Sequence, residues 1–337
     1  SAPSGFVALA QDNLAGTDQF QSAFSWIKNR DATDNHMLFD RVRGATKDLH
    51  SNTNDVQVTN PNTVQRFLEA GVQVGNDVQV NTANESYVLW NWMTEATGSG
   101  TLNEVGSIDS TVLVDTTLGM SVGTFTGTGN SATVGHGLGV APQMIIFKDT
   151  ATVSNWAVYH SGLITPATYK IKLNQDGAQI NGGAASFNST NPSSTVFTVN
   201  TDDEINPSSK TMLFIAFAPS QFISIGSYEG NANANGAFVP TVNSLGVPIQ
   251  PVWILNKNVD ATAGWVLFDT VRNPYNVASK YFYPNATSAE QTADAIDIDT
   301  GGFKWTNSNV LVNAANTYLY MAIGTPIIDT DGRIIAG

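Results

Sequence analysis

The 337-residue chain has no cysteine, which excludes a disulfide framework, a thiol nucleophile and a thiolate metal site. It is also poor in charge. Asp, Glu, Lys and Arg make up 13% of residues, about half the roughly 25% of an ordinary soluble domain. Acidic residues lead, 28 against 15 basic, for a net charge of −13. Nucleic-acid affinity rests on clustered Lys and Arg, so this balance argues against a nucleic-acid partner. Only four histidines are present, and they are dispersed. No run approaches the 18 apolar residues of a membrane helix, so no membrane insertion is expected. The opening Ser1-Ala2-Pro3-Ser4-Gly5-Phe6 lacks the basic and apolar regions of a secretory signal. What the chain does have is 42% hydrophobic residues, too many for a disordered chain, and an abundance of Asn, Ser and Thr. Polarity carried by amides and hydroxyls suits β-rich extracellular or virion proteins.

Self-similarity organises the rest. Trp26-Ile27-Lys28-Asn29 is followed by His36-Met37-Leu38-Phe39-Asp40. Ile146-Phe147-Lys148-Asp149 is followed by Trp156-Ala157-Val158-Tyr159-His160, and Ile254-Leu255-Asn256-Lys257-Asn258 by Trp265-Val266-Leu267-Phe268-Asp269. The spacing from Lys to the start of the second run is the same in all three. An Asn recurs downstream at Asn52, Asn174 and Asn285, and each unit closes on a long apolar run, near Tyr87, Met212 and Tyr318. Units two and three share an opening, Thr124-Phe125-Thr126-Gly127 and Ser227-Tyr228-Glu229-Gly230. Unit one lacks it, so its first strands are expected to be missing or supplied from elsewhere.

The runs are mostly 4 to 8 residues, rich in β-branched and aromatic types and bounded by Gly, Asn, Asp or Pro, the strand signal. The prediction is all-β: three tandem β-sandwich, jelly-roll-like repeats, the first truncated. The expected divisions are an N-terminal arm 1–25, repeats at 26–97, 98–222 and 223–327, and a C-terminal tail 328–337, with linkers near 94–106 and 219–225. The stretch Pro61 to Ala70 is read as a helical turn.

Catalytic readings fare poorly. His36 stands where the other units have Trp156 and Trp265, so it reads as a packing residue. His136 lies in Gly135-His136-Gly137-Leu138-Gly139, a turn that offers close backbone approach. No Gly-Lys-Ser/Thr follows to make it a phosphate loop. Paired carboxylates at Asp297 and Asp299, or at Asp202-Asp203-Glu204, are candidates for glycoside hydrolysis but lie in turn-rich stretches. Asp329-Thr330-Asp331-Gly332 opens like a calcium loop and lacks the closing acid such a loop needs. Lys28, Lys148 and Lys257 are expected to pair across strands with Asp40, His160 and Asp269. Trp156, Trp265, Trp305 and His136 are the candidate glycan or partner contacts, although aromatic rings within strand runs are more often core. No catalytic, cofactor or metal residue is assigned.

The string Trp26-Ile27-Lys28-Asn29-Arg30-Asp31, continuing through Phe39-Asp40-Arg41-Val42-Arg43-Gly44, resembles a recurrent domain of tailed-bacteriophage virion proteins, described as tail-fibre or tail proteins of unknown detailed function. The resemblance continues through Val134-Gly135-His136-Gly137-Leu138-Gly139-Val140-Ala141-Pro142 and Arg272-Asn273-Pro274-Tyr275-Asn276-Val277. It implies a virion component and assigns no catalytic residues. In many such proteins a laminin-G-type domain precedes this region; here Gly5 to Leu14 resembles only its end. The expectation is a non-enzymatic structural protein of a tailed-phage particle, forming homo-oligomers beside other virion proteins through an open edge on the first sandwich. The alternative is an adhesin that attaches to host-surface glycans.

Overall fold

A computed structural model describes residues 6–9, 21–69 and 71–327. The chain is all-β, built from antiparallel sheets stacked in two layers. The first unit comprises β1 (Phe6–Leu9), β2 (Gln21–Asn29), β3 (Met37–Asp40), β4 (Lys47–His50), β5 (Val58–Thr59), β6 (Val64–Leu68), β7 (Gly71–Val74) and β8 (Tyr87–Thr94). The second runs through β9 (Thr101–Asn103), β10 (Ser110–Asp115), β11 (Met120–Thr126), β12 (Ala132–Gly135), β13 (Met144–Asp149), β14 (Ala157–His160), β15 (Tyr169–Lys172), β16 (Ile180–Asn181), one turn of helix α1 (Ala184–Phe187), β17 (Val196–Val199) and β18 (Thr211–Phe217). The third holds β19 (Ile223–Glu229), β20 (Phe238–Pro240), β21 (Ile249–Asn258), β22 (Val266–Asp269), β23 (Ala278–Tyr281), β24 (Gln291–Asp299), β25 (Gly302–Trp305) and β26 (Thr317–Pro326).

One sheet order occurs in each unit: β1-β8-β2-β3-β4, β11-β18-β13-β14-β15 and β19-β26-β21-β22. A smaller sheet or hairpin covers the outer face: β6-β7, β12-β17 and β20-β25-β24-β23. Strand side chains alternate between faces, and here both faces are covered. On β13, Met144 and Ile146 enter one core while Ile145 and Phe147 enter another. That is why β13 opens on the unbroken apolar run Met144-Ile145-Ile146-Phe147.

Each unit has its own outer core, around Phe39, Phe197 and Phe303. The inner faces of all three meet in a single shared core that takes Trp26, Trp90 and Trp92, then Trp156, Ile215 and Phe217, then Trp253, Trp265 and Leu319. The units are therefore not beads on linkers. Burying one large face of each sheet against the other two gives all three a common driving force, at roughly 25 cal/mol per Å² of apolar surface removed from water.

Three expectations need correction or relocation. The first unit's edge position, filled elsewhere by β11 and β19, is occupied by the chain's own β1, which pairs antiparallel with β8. That place is taken within the chain, and among the described residues β1 is then the terminal strand of the sheet, where β11 of unit two is followed by β10 and β9. Among the described residues of the stretch Pro61 to Ala70 there is no helical turn: Val64–Leu68 is the first strand of the β6–β7 hairpin, as its β-branched and aromatic Val64 and Phe67 favour. The strand carrying Trp26 begins at Gln21, inside the segment read as an arm. The tail 328–337 lies outside the described residues.

The shared opening of units two and three has a steric cause at its glycine. A side chain at Gly127 would overlap the Pro207 carbonyl, and one at Gly230 the Ala314 carbonyl. Backbone cannot yield as a flexible side chain does. We expect Gly230→Ala to lower unfolding free energy by about 2 kcal/mol, read by urea denaturation; a change under about 0.5 kcal/mol would show that this approach is not tight.

Candidate functional site

The polar residues that recur in every unit converge on the seams where one unit meets the next. Trp156 of unit two donates its indole N–H to the His50 carbonyl of unit one at 2.9 Å. Trp265 of unit three donates to the Lys172 carbonyl of unit two, also at 2.9 Å. His50 and Lys172 lie two residues before the recurrent Asn52 and Asn174. Those amides act within their own units, where Asn52, Asn174 and Asn285 Oδ1 accept the backbone N–H of His36, Trp156 and Trp265. His36 completes the set toward unit three. Its ring packs edge-on against Phe282, and the Tyr283 backbone, two before Asn285, bears on its titration. Unit one thus leans on unit three, two on one and three on two.

His36 is fully buried and takes the Trp26 indole N–H on Nδ1 at 2.9 Å. Burial, then the charge of Lys28, holds its pKa well below the usual imidazole range. It is a packing residue, as its alignment with Trp156 and Trp265 predicts.

The lysines do not pair with Asp40, His160 and Asp269. The register sets those residues opposite Phe24, Met144 and Trp253, several residues from each Lys. Instead each fully buried ammonium donates to backbone carbonyls: Lys28 to Asn29 and Ala32, Lys148 to Asn54 and Ser154, and Lys257 to Asp176, Asn258 and Ala263. Two of these bonds, to Asn54 and Asp176, cross a seam, and Lys28 lies over the Phe282 ring of unit three at 5.5 Å. Burial lowers all three lysines to about 8, against the pull of nearby Asp34, Asp149 and Asp176. An amine that sheds its proton this easily is a nucleophile in principle, but at 0% exposure no substrate reaches it. Asp40 and Asp269 are held instead by Arg43 and Arg272, three residues on. Arg272 also stacks on Phe282 at 4.4 Å, and with Arg30 it grips Glu290 across the third seam.

A second device recurs in the three units. Asp77-Val78-Gln79-Val80-Asn81, Asp202-Asp203-Glu204-Ile205-Asn206 and Asn309-Val310-Leu311-Val312-Asn313 are the same turn. In each, the first side chain accepts the N–H two residues on, and the last N–H returns to the first carbonyl. Asn206 and Asn313 then clamp neighbouring loops through three carbonyl or hydroxyl acceptors each. The pattern Asp/Asn-x-x-Val/Ile-Asn was visible but short, and Asx turns tolerate any residue between.

The candidate contact residues all lie inside. Trp156, Trp305 and His136 are fully buried and Trp265 is 2% exposed, so none offers a ring face to a sugar. Trp305 packs edge-on against Phe268 and Phe303. His136 staples its glycine turn: Nδ1 accepts the Leu138 N–H, and the other ring nitrogen meets the Ser193 carbonyl at 3.1 Å. Asp202 and Glu204 are neutralised by Lys170 and Lys172 at 2.5 to 2.8 Å; although burial opposes it, bonds from Lys170 and Lys172 bring Glu204 down to about 2. Asp297 and Asp299 share one half-exposed face of β24, with Ile296 and Ile298 turned into the core. Asp329 to Gly332 lie outside the described residues. Among the described residues no group of three or more His, Asp or Glu is arranged to hold a metal ion, and no helix is long and apolar enough to cross a membrane.

One exposed aromatic stands out, and composition could not single it out among nine tyrosines. Tyr275 is 83% exposed. Its neighbour Asn276 is pinned to β24, exchanging hydrogen bonds with Ile298 at 2.9 and 3.1 Å and donating to Asp299 at 3.3 Å. The loop thus presents an exposed ring at Tyr275, and the next residue, Asn276, donates to the half-exposed Asp299 carboxylate.

Together these features define an all-β protein of three sandwich units, closed by polar seams around one core. The chain belongs to the family described as a domain of unknown function, DUF7483, whose model matches residues 9–325. No curated protein and no solved structure matches it.

Proposed function

We propose that this protein is a non-enzymatic structural component of a tailed-phage particle, in a tail fibre, an appendage or the capsid surface, and that it works as an assembly of identical copies. The reading starts from the phage-type motif string around Trp26 to Gly44. The observation that supports it is the use of that string: Lys28 and His36, with their counterparts Lys148, Lys257, Trp156 and Trp265, are buried against neighbouring units rather than turned toward a ligand. A virion component must resist shear and dilution, and a shared core with buried pins supplies that. A surface polar through Asn, Ser and Thr packs against copies of itself with little charge to neutralise, and the net −13 keeps free subunits apart in solution.

The test is location and mass. Peptides of this chain are expected in purified particles, and light scattering at micromolar protein is expected to give a multiple of 35.8 kDa. A stable monomer absent from particles would sink the proposal.

A second reading, attachment to host-surface glycans, is favoured by Tyr275 alone. Aromatic rings beside carboxylates stack on sugar faces while the acid accepts hydroxyl protons. On that reading Tyr275→Ala lowers binding to bacterial surface polysaccharide at least tenfold while Tyr275→Trp retains it. Equal binding by both variants removes the reading.

A further inference from the structure

The strand β1 is tied into its sheet more weakly than its counterparts. β11 and β19 each pair over seven residues, Met120–Thr126 with β18 and Ile223–Glu229 with β26. β1 pairs over four, from Phe6 opposite Trp92 to Leu9 opposite Leu89. Among the described residues its only ladder neighbour is β8, and β2, the next described strand in the chain, lies beyond β8. Residues 10–20 make that connection. A segment of this length reaches up to about 35 Å when extended, several times the roughly 10 Å between next-but-one strands. The connection therefore does not dictate which copy's β8 receives the strand. Set in the same register on a neighbouring β8, it would form the same backbone pairs.

Other parts of the first unit are tied to their neighbours. Its fourth strand is fixed against unit two through His50 and Asn54, and its Lys28 end against unit three through Arg30, Ser51 and Trp90. Exchange of β1 costs no pairing energy, so it is decided by proximity: where copies are held close, the effective concentration of a neighbour's strand rivals that of the chain's own. We propose that in the assembled protein β1 is exchanged, so that Phe6–Leu9 of one copy completes the first sheet of the next. This rests on the assembly reading above. Passed head to tail, the exchange builds a ring if the rotation closes and an open file of copies if it does not.

The absence of cysteine makes the test clean. Leu9 and Leu89 are direct partners in the register, and opposite positions on paired strands bring Cβ atoms to roughly 4.5 to 5.5 Å, close enough for a disulfide after small adjustment. Leu9→Cys and Leu89→Cys are made as separate chains, refolded together, oxidised and run on a denaturing gel without reductant. The expected result is a covalent pair containing one of each variant, identified by mass spectrometry of the linked peptides. The double variant, oxidised as an assembly, is expected to give a ladder of linked chains. An oligomer whose double variant closes only within single chains, with no mixed pair, overturns the exchange and leaves assembly standing. A monomer by light scattering overturns both.

Discussion

Trp265→Ala is expected to lower unfolding free energy by about 4 kcal/mol, the range for emptying a large aromatic site in a packed core. The indole is 2% exposed, sits in the core shared by all three units and donates to the Lys172 carbonyl of unit two. Trp265→Phe keeps most of the volume and strands one buried carbonyl, so about 1 to 2 kcal/mol is expected. The diagnostic readout is cooperativity. Because Trp26, Trp156 and Trp265 belong to one cluster, the cavity destabilises units one and two as well. Calorimetry should then show a single transition moved to lower temperature. A variant in which unit three melts first, with the remaining heat absorption unmoved, would mean the shared core does not couple the units.

Acidification is expected to have an effect of similar size. All four histidines are held below the ordinary imidazole value, each chiefly by burial. For His160, fully buried with its ring against the Tyr320 carbonyl of unit three, the value falls to about 4. The unfolded chain binds a proton on this group near 6.5, whereas the folded one resists until about 4. Between those values the unfolded state holds more protons, so stability is complete above pH 6.5 and drains away as pH falls toward 4. One group moved by this much contributes about 3 kcal/mol. Asp48, raised to about 6, and Asp115, also raised, both mainly by burial, work in the opposite sense but are two groups against four. Denaturation at pH 7.5 and pH 4.5 should differ by several kcal/mol, and His160→Gln should recover part of the difference. A profile flat between those values would show that the histidines are not buried in solution.

The recurrence of Lys28, Lys148 and Lys257 at fixed spacing was legible because a repeated unit must place the same side chain at the same point on the same strand. Its meaning was not. A lysine next to an Asp-ended strand suggests an ion pair, and only the register shows that Asp40 faces Phe24 while the ammonium turns to carbonyls. The tryptophans divide likewise. Trp156 and Trp265 read as platform or, more often for strand aromatics, as core, and nothing local decides between them: a strand residue's exposure depends on what lies over its face. Here a second and a third sheet lie over it. Tyr275 shows the converse, since its exposure follows from how Asn276 fixes the loop to β24.

The poverty of charge and the lack of cysteine, together with the threefold spacing, determined by themselves that this is an all-β chain of similar units stabilised without disulfides. These are properties of local pattern, set by strand period and turn chemistry. The tertiary structure alone decided that the units close on one another around one core, that β1 fills the edge of the first, and that the repeated polar groups are pins rather than ligand contacts. Those outcomes depend on contacts between residues far apart in the chain, 106 positions for Trp156 with His50 and 93 for Trp265 with Lys172, which no local pattern encodes.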